Sequence, residues 1–284
     1  MENKFTLALG ALPSVPDMRD YVATTSKETF PDTFELAGMP EVKSQGAVGS
    51  CVAHSLATAT EYFNEKETGK FTKMSTGYIY GNRLLSVHKG SGMFTRDAIK
   101  TLAKFGNVPN NYFPHNVEVP YAIEMFEDSY ESLEEVGVNY KIESYFRLKD
   151  TEAIKAHLMD GNPVIFAMKW FDDIKIVDGV MVTKEKKSAK TGGHCMVIYG
   201  WNETGWLVQN SWGKTWGNNG TFTLPYNVTT TEVWGIKDAK SDTTLTIESP
   251  FKTKFGETCA KVLHKVISWF YNLYYKIKDK FTGK

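Results

Sequence analysis

Cys51, His194 and Asn210 are three residues whose types and order suit acyl transfer through sulfur. A thiol attacks a carbonyl once it is a thiolate, an imidazole can take and return the proton, and a carboxamide can hold the imidazole in one orientation. Cys51 ends the run Ser44-Gln45-Gly46-Ala47-Val48-Gly49-Ser50 and opens an apolar-periodic stretch. A helix starting there turns its unpaired N–H groups and its dipole toward the sulfur, which favours negative charge. Gln45, six residues earlier, is placed to set a side-chain N–H beside the Cys51 backbone N–H, and the pair would bind an oxyanion. Asn210 begins Asn210-Ser211-Trp212-Gly213-Lys214-Thr215-Trp216-Gly217, so Trp212 is expected to lie over a His194–Asn210 contact and exclude water from it. Ser50, just before the nucleophile, is expected to support it.

The elements that must position these groups can be read from periodicity. Val52–Lys66 reads as a buried helix stopped by Gly69, and Thr95–Phe105 as an amphipathic helix stopped by Gly106. Tyr121–Glu135 reads as a third helix; residues 118–135 carry seven acidic groups and no Lys or Arg, which is read as a solvated face. Strand character then takes over at Val138–Arg147, Pro163–Trp170, Cys195–Tyr199, Gly205–Asn210, Gly220–Pro225 and Glu232–Ile236, with a short helix at Thr151–Asp160. Helices first and strands second suggest an α+β architecture. The expected division is 1–44 irregular and wrapping the body, 45–137 a helical lobe, 138–245 a β-rich lobe, and 246–284 a basic amphipathic helix.

The ordered set Gln45-Gly46-x-x-Gly49-Ser50-Cys51, Gly193-His194 and Asn210-Ser211-Trp212-Gly213-x-x-Trp216-Gly217 resembles the papain (C1) family of cysteine peptidases. Separations of 143 residues from Cys51 to His194 and 159 to Asn210 are near those of that family. The likeness runs from about Pro13 to Ile236, and Pro16-Asp17-x-Arg19-Asp20-Tyr21 resembles its bacterial and phage-like branch. It implies a two-lobed fold, a helical lobe and an antiparallel β-barrel-like lobe with the site in the cleft between, and an endopeptidase acting through a Cys51 thioester. It implies a polypeptide substrate held against Gly92, Met93 and Gly193, with Met168 and Trp170 as further wall candidates. A peptide ligase on the same site and a catalytically silent binding protein remain alternative readings. Val48 stands where many members have a Cys, Cys195 replaces a usual Ala, and the 50 residues before Cys51 lack the long helical pattern of an inhibitory prosegment. His54 and Cys195 are read as supporting or core residues.

Bulk composition sets limits. Three cysteines, with no Cys-x-x-Cys or His cluster, suggest neither a disulfide framework nor a metal site, and no cofactor is expected. A formal net charge of zero gives no global field for nucleic acid. No secretory signal or membrane span is apparent, so the expected setting is the cytoplasm or a virus particle. Residues 251–284 hold eight Lys against Glu257 and Asp279, with apolar residues recurring at three- and four-residue steps. This basic helix is expected to dock on the body of the enzyme or another protomer, on a protein partner, or on an anionic membrane surface.

Overall fold

The computed structural model describes residues 8–27, 29–85, 90–113, 133–184, 191–238, 246–248 and 273. Most of the acidic run and the tail helix therefore lie outside the described residues; of the former only a helical stretch at 133–137 is described.

Helix α1 (Cys51–Thr68) is the pillar of the helical lobe. Its first thirteen residues are buried on every side, including Ser55, Thr58, Thr60 and Glu61, as expected of a helix through a core rather than on a surface. Gly69 ends it in the left-handed conformation. The buried Glu61 carboxylate accepts the Met74 N–H at 3.0 Å and pairs with Lys43 Nζ, so the chain entering the Cys51 turn is tied to the side of α1. Helices α2 (Thr76–Gly81) and α3 (Thr95–Phe105) pack beside it. Ala98 and Leu102 of α3 face the core, whereas Phe105 is half-buried.

The β-rich lobe is an eleven-stranded sheet with a backbone order β13-β2-β5-β12-β6-β9-β10-β11-β8-β7, and β3 pairs with β9 beside this path. Its centre is antiparallel: β6 (Val164–Trp170), β9 (Gly192–Trp201), β10 (Gly205–Gln209), β11 (Thr221–Pro225) and β12 (Thr230–Lys237). β5 (Ser144–Leu148) pairs with β12, and two joins are parallel, β2 (Val22–Thr24) on β5 and β11 on β8 (Val180–Val182). β7 (Lys175–Val177) and β8 form a hairpin, while β3 (Phe34–Glu35) and β13 (Thr246–Glu248) are short additions. β6 is buried at six of seven positions, which explains its apolar run from Val164 to Met168; Lys169 is its exposed position. Helix α4 (Thr151–Met159) is capped by Asp150, which accepts the Ala153 N–H at 2.7 Å, and packs on the sheet through the fully buried His157.

Three expectations are corrected. Val138–Arg147 is not one strand: Val138–Tyr140 forms a 3₁₀ turn and pairing begins at Ser144. Val138 is exposed and Tyr140 half-buried there, and only Ile142 enters the core before pairing begins. β9 starts at Gly192 rather than Cys195, so His194 lies within the strand, paired across from Met168. The N-terminal segment is not merely irregular. β1 (Ala11–Leu12) pairs in parallel with β4 (Met93–Phe94), and β2 and β3 join the large sheet. Pro13, Pro16, Pro31 and Pro40 prevent helix there, yet β1 fits just before Pro13 and β2 and β3 fit between the later prolines.

Candidate active site

Helix α1 delivers Cys51 from below the cleft and β9 delivers His194 from the sheet; α1 and β9 are packed together. Cys51 and His194 are both fully buried. His194 Nε2 lies 2.7 Å from Asn210 Oδ1. The same oxygen accepts the Ser211 N–H at 2.7 Å, which fixes the carboxamide with its oxygen toward the imidazole. Nε2 is therefore the protonated nitrogen, and Nδ1 keeps its lone pair with no hydrogen-bond partner. Trp212 covers this contact, its ring stacked on the imidazole at 4.3 Å and 14°. Trp170 meets the imidazole edge-on at 5.3 Å.

Gln45 is held by the loop that carries Asn210. The Gln45 N–H donates to the Ser211 carbonyl at 2.8 Å, the Ser211 hydroxyl donates to Gln45 Oε1 at 2.6 Å, and the Gly213 N–H donates to the Lys43 carbonyl at 2.9 Å. The Gln45 carboxamide thus presents its N–H₂, which donates to the Val48 carbonyl at 2.8 Å and to the Ala8 carbonyl at 3.1 Å. Ser50 is buried and bonds to His54, whose Nδ1 turns back to the Ser50 hydroxyl at 3.2 Å and carbonyl at 3.0 Å. That contact points His54 along its own helix.

No motif in the sequence marks what fills the cleft. Residues 8–12 run through it as a strap. Beyond the Ala8 contact with Gln45, the Gly10 N–H donates to the Gly193 carbonyl at 3.0 Å and the Gly10 carbonyl accepts the Met93 N–H at 2.8 Å. Gly10 is required by closeness: a Cβ there would sit 1.9 Å from the Gly49 carbonyl oxygen, in the turn leading to Cys51. Gly92 and Gly193 face the same strap, since a Cβ on either would meet the Gly10 or Ala11 carbonyl oxygen at 2.6 or 1.8 Å. Met168 lines a cavity of about 390 Å³ together with Ala11, Leu12 and Pro13. Trp170 lines another, described below.

Burial sets the electrostatics of the site. Burial pushes the Cys51 thiol up to about 11, against the pull of the backbone N–H groups of Cys195, Gly10 and Val52. Burial also drives His194 down to about 4, although Asn210 favours its charged form. Thiol and imidazole are both neutral at pH 7 in this closed state. Burial raises Cys195 as well, and its side chain lies fully inside the core. Among the described residues, no group of three or more His, Cys, Asp or Glu could hold a metal ion.

Residues 31–243 match the model of the papain family cysteine proteases. An uncharacterised peptidase C1-like protein of Acanthamoeba polyphaga mimivirus is 31% identical over 257 residues, covering 76% of this chain and 81% of the relative. Among solved structures, xylellain, a cysteine protease from Xylella fastidiosa, superposes with a TM-score of 0.71 at 26% identity, over 84% of this chain and 99% of that one. A digestive procathepsin L from Tenebrio molitor shares the fold at a TM-score of 0.64 and 17% identity, over 82% and 77%. With its cleft, its ordered residues and these relatives in agreement, the chain belongs to the papain family of cysteine peptidases.

Proposed function

We propose that Cys51 is the nucleophile of this peptidase, with His194 as its base and acid, Asn210 as the orienting group, and Gln45 with the Cys51 N–H as the oxyanion hole. The observation that carries this assignment is the His194 Nε2–Asn210 Oδ1 bond, which leaves Nδ1 free as a base beneath Trp212. In the reaction, Nδ1 takes the thiol proton and the sulfur adds to the scissile carbonyl. The carbonyl oxygen becomes an anion held by the Gln45 N–H₂ and the Cys51 N–H. Collapse expels the amine, which leaves with the proton from Nδ1, and a thioester remains on Cys51. Water, deprotonated by the same nitrogen, then attacks the thioester and frees the acid. Trp212 keeps competing water off the His194–Asn210 bond, which strengthens it.

The strapped form is the resting state in this reading. Ala8 takes the Gln45 donor that an oxyanion needs, and the strap's burial of the thiol and imidazole opposes their charge separation. Moving the strap aside lets water and substrate in, so the thiolate–imidazolium pair forms at the α1 N-terminus.

A thiol-directed epoxide tests both parts. Gly10→Ala introduces a methyl that collides with Gly49, so it is expected to expel the strap and label Cys51 at least ten-fold faster at pH 7 than the parent chain. Cys51→Ala in that background is expected to remain unlabelled. Equal labelling rates for the parent chain and Gly10→Ala would remove the strap from the account; labelling that bypasses Cys51 would remove the nucleophile. Product analysis with an added amine separates hydrolysis from ligation, with free acid expected as the main product.

A further inference from the structure

A cavity beside the site is unused by the chemistry above. It measures about 610 Å³ and is walled by Trp170, Trp216, Ile174, Ile176, Asp178 and Asn218. Trp170 is shared with the catalytic region: its ring lies 5.3 Å from the His194 imidazole and 5.9 Å from Trp216. The cavity therefore begins within roughly three extended residues of His194, at about 3.3–3.6 Å per residue. Its described wall includes no residue of the strap, unlike the cavity lined by Ala11, Leu12 and Pro13. It is open in the closed form.

The chemistry of the wall is specific. Asp178 is its one ionisable residue among those described, and no Lys, Arg or His lines it. Asp178 and Gly179 form the two-residue turn between β7 and β8, both at positive φ, 49° and 77°. An Asp-Gly pair suits such a turn because both residues tolerate that conformation. The hairpin is pinned to the body where the Thr223 N–H donates to the Gly179 carbonyl at 2.8 Å, so the carboxylate is carried on a fixed support. Ile174 and Ile176 face the cavity, whereas strand alternation sends Lys175 to the other side. The cavity thus combines two tryptophans, two isoleucines, one amide and one anion.

We infer that this cavity binds a basic side chain, arginine above lysine, on the leaving-group side of the scissile bond. The inference rests on the peptidase reading, because it is the imidazole that marks that side. His194 passes its proton to the departing nitrogen, so the departing segment runs past the imidazole, on which Trp170 and Trp212 pack, and toward the cavity that Trp170 helps to line. An arginine stem then lies along Ile174 and Ile176, its guanidinium stacks on an indole, and Asp178 supplies the opposite charge. An acidic residue at the same place meets the carboxylate and is disfavoured.

The test uses the full chain carrying Cys51→Ala, which prevents turnover, titrated with tripeptide amides bearing either arginine or its neutral near-isostere citrulline at each position in turn. Binding is read by tryptophan fluorescence and calorimetry. At one position the arginine peptide is expected to bind at least ten-fold more tightly than the citrulline peptide. Asp178→Asn, a residue that also tolerates positive φ, is expected to reduce that ratio below three, and Asn218→Asp to raise it. Asp172→Asn, at an exposed carboxylate outside the cavity wall, should leave it unchanged. Equal binding of the two peptides at every position, or an arginine preference that survives Asp178→Asn in a chain with an unchanged melting temperature, overturns the proposal. These titrations need no thiol chemistry. Failed epoxide labelling with intact arginine binding would remove the catalytic assignment and leave the pocket, and the reverse result would do the opposite.

Discussion

At the residue scale, the site depends on a few polar groups with no slack in their partners. Gln45 uses Oε1 for the Ser211 hydroxyl and Nε2 for two carbonyls, so its amide cannot rotate without losing a buried bond. Gln45→Ala in the Gly10→Ala background is expected to lower kcat about 10²-fold with little change in KM, the effect of removing one oxyanion donor. Peptide hydrolysis kinetics check it; a fall confined to KM would assign Gln45 to substrate binding alone. The candidates Gln45, Cys51, His194 and Asn210 stand out in the sequence because they sit in short motifs that follow one another in a set order. Ala8 and Gly10 do not. Nothing in Ala8-Leu9-Gly10 resembles a catalytic motif, and their role comes from backbone groups that any residue carries, plus a missing Cβ at one close approach.

At the element scale, α1 and β9 carry the proposed catalytic pair while α4 packs on the sheet. His157 of α4 is fully buried, edge-on to Phe146 of β5 at 5.4 Å, and burial drives it down to about 3. It folds neutral. Its contribution is complete above the unfolded value of about 6.5. As pH falls from there toward 3, the unfolded chain takes up a proton that the folded chain refuses, and stability drops by about 1.4 kcal/mol per pH unit for one such proton. His194, held at about 4, adds a second proton in the upper part of that window. Urea titrations from pH 7 to pH 4.5 are expected to show a declining unfolding free energy. His157→Leu should be less stable at pH 7 but lose about one proton's worth of that slope; an unchanged slope would mean that His157 is already charged in the fold. The helices α1, α3 and α4 were readable from apolar spacing and Gly or Asn stops. The short strands β1, β4, β7 and β8 were not, because two or three residues carry no measurable period and form only where a partner edge is supplied.

At the scale of the molecule, the N-terminal segment binds the two lobes to each other. Beyond the strap, Ser14 donates its N–H to Glu232 of β12 at 2.8 Å and accepts the Arg96 N–H of α3 at 3.0 Å. The Asp17 carboxylate, wholly buried, receives Arg19 at 2.6 Å and Arg96 at 2.7 Å, and Arg96 also pairs with Asp20. Arg96→Met leaves the buried Asp17 and the half-buried Asp20 short of a partner and is expected to cost about 3 kcal/mol. Thermal melts measure the loss. Epoxide labelling of Cys51 should quicken in step, since the anchor and the strap are one segment; a lower melting temperature with unaltered labelling would separate them. The sequence by itself determined the α+β class, the peptidase chemistry and the family, because the proposed nucleophile, base and orienting amide are set by residue type and by short local motifs. Only the tertiary structure decided that the thiol is neutral and covered, that Gln45 is already engaged, and that an acidic aromatic cavity adjoins His194. Those properties arise from burial and from contacts between residues as distant as Ala8 and Gln45 or Trp170 and Trp216. A linear pattern records which groups are present, whereas desolvation and proximity exist only once the chain has closed on itself.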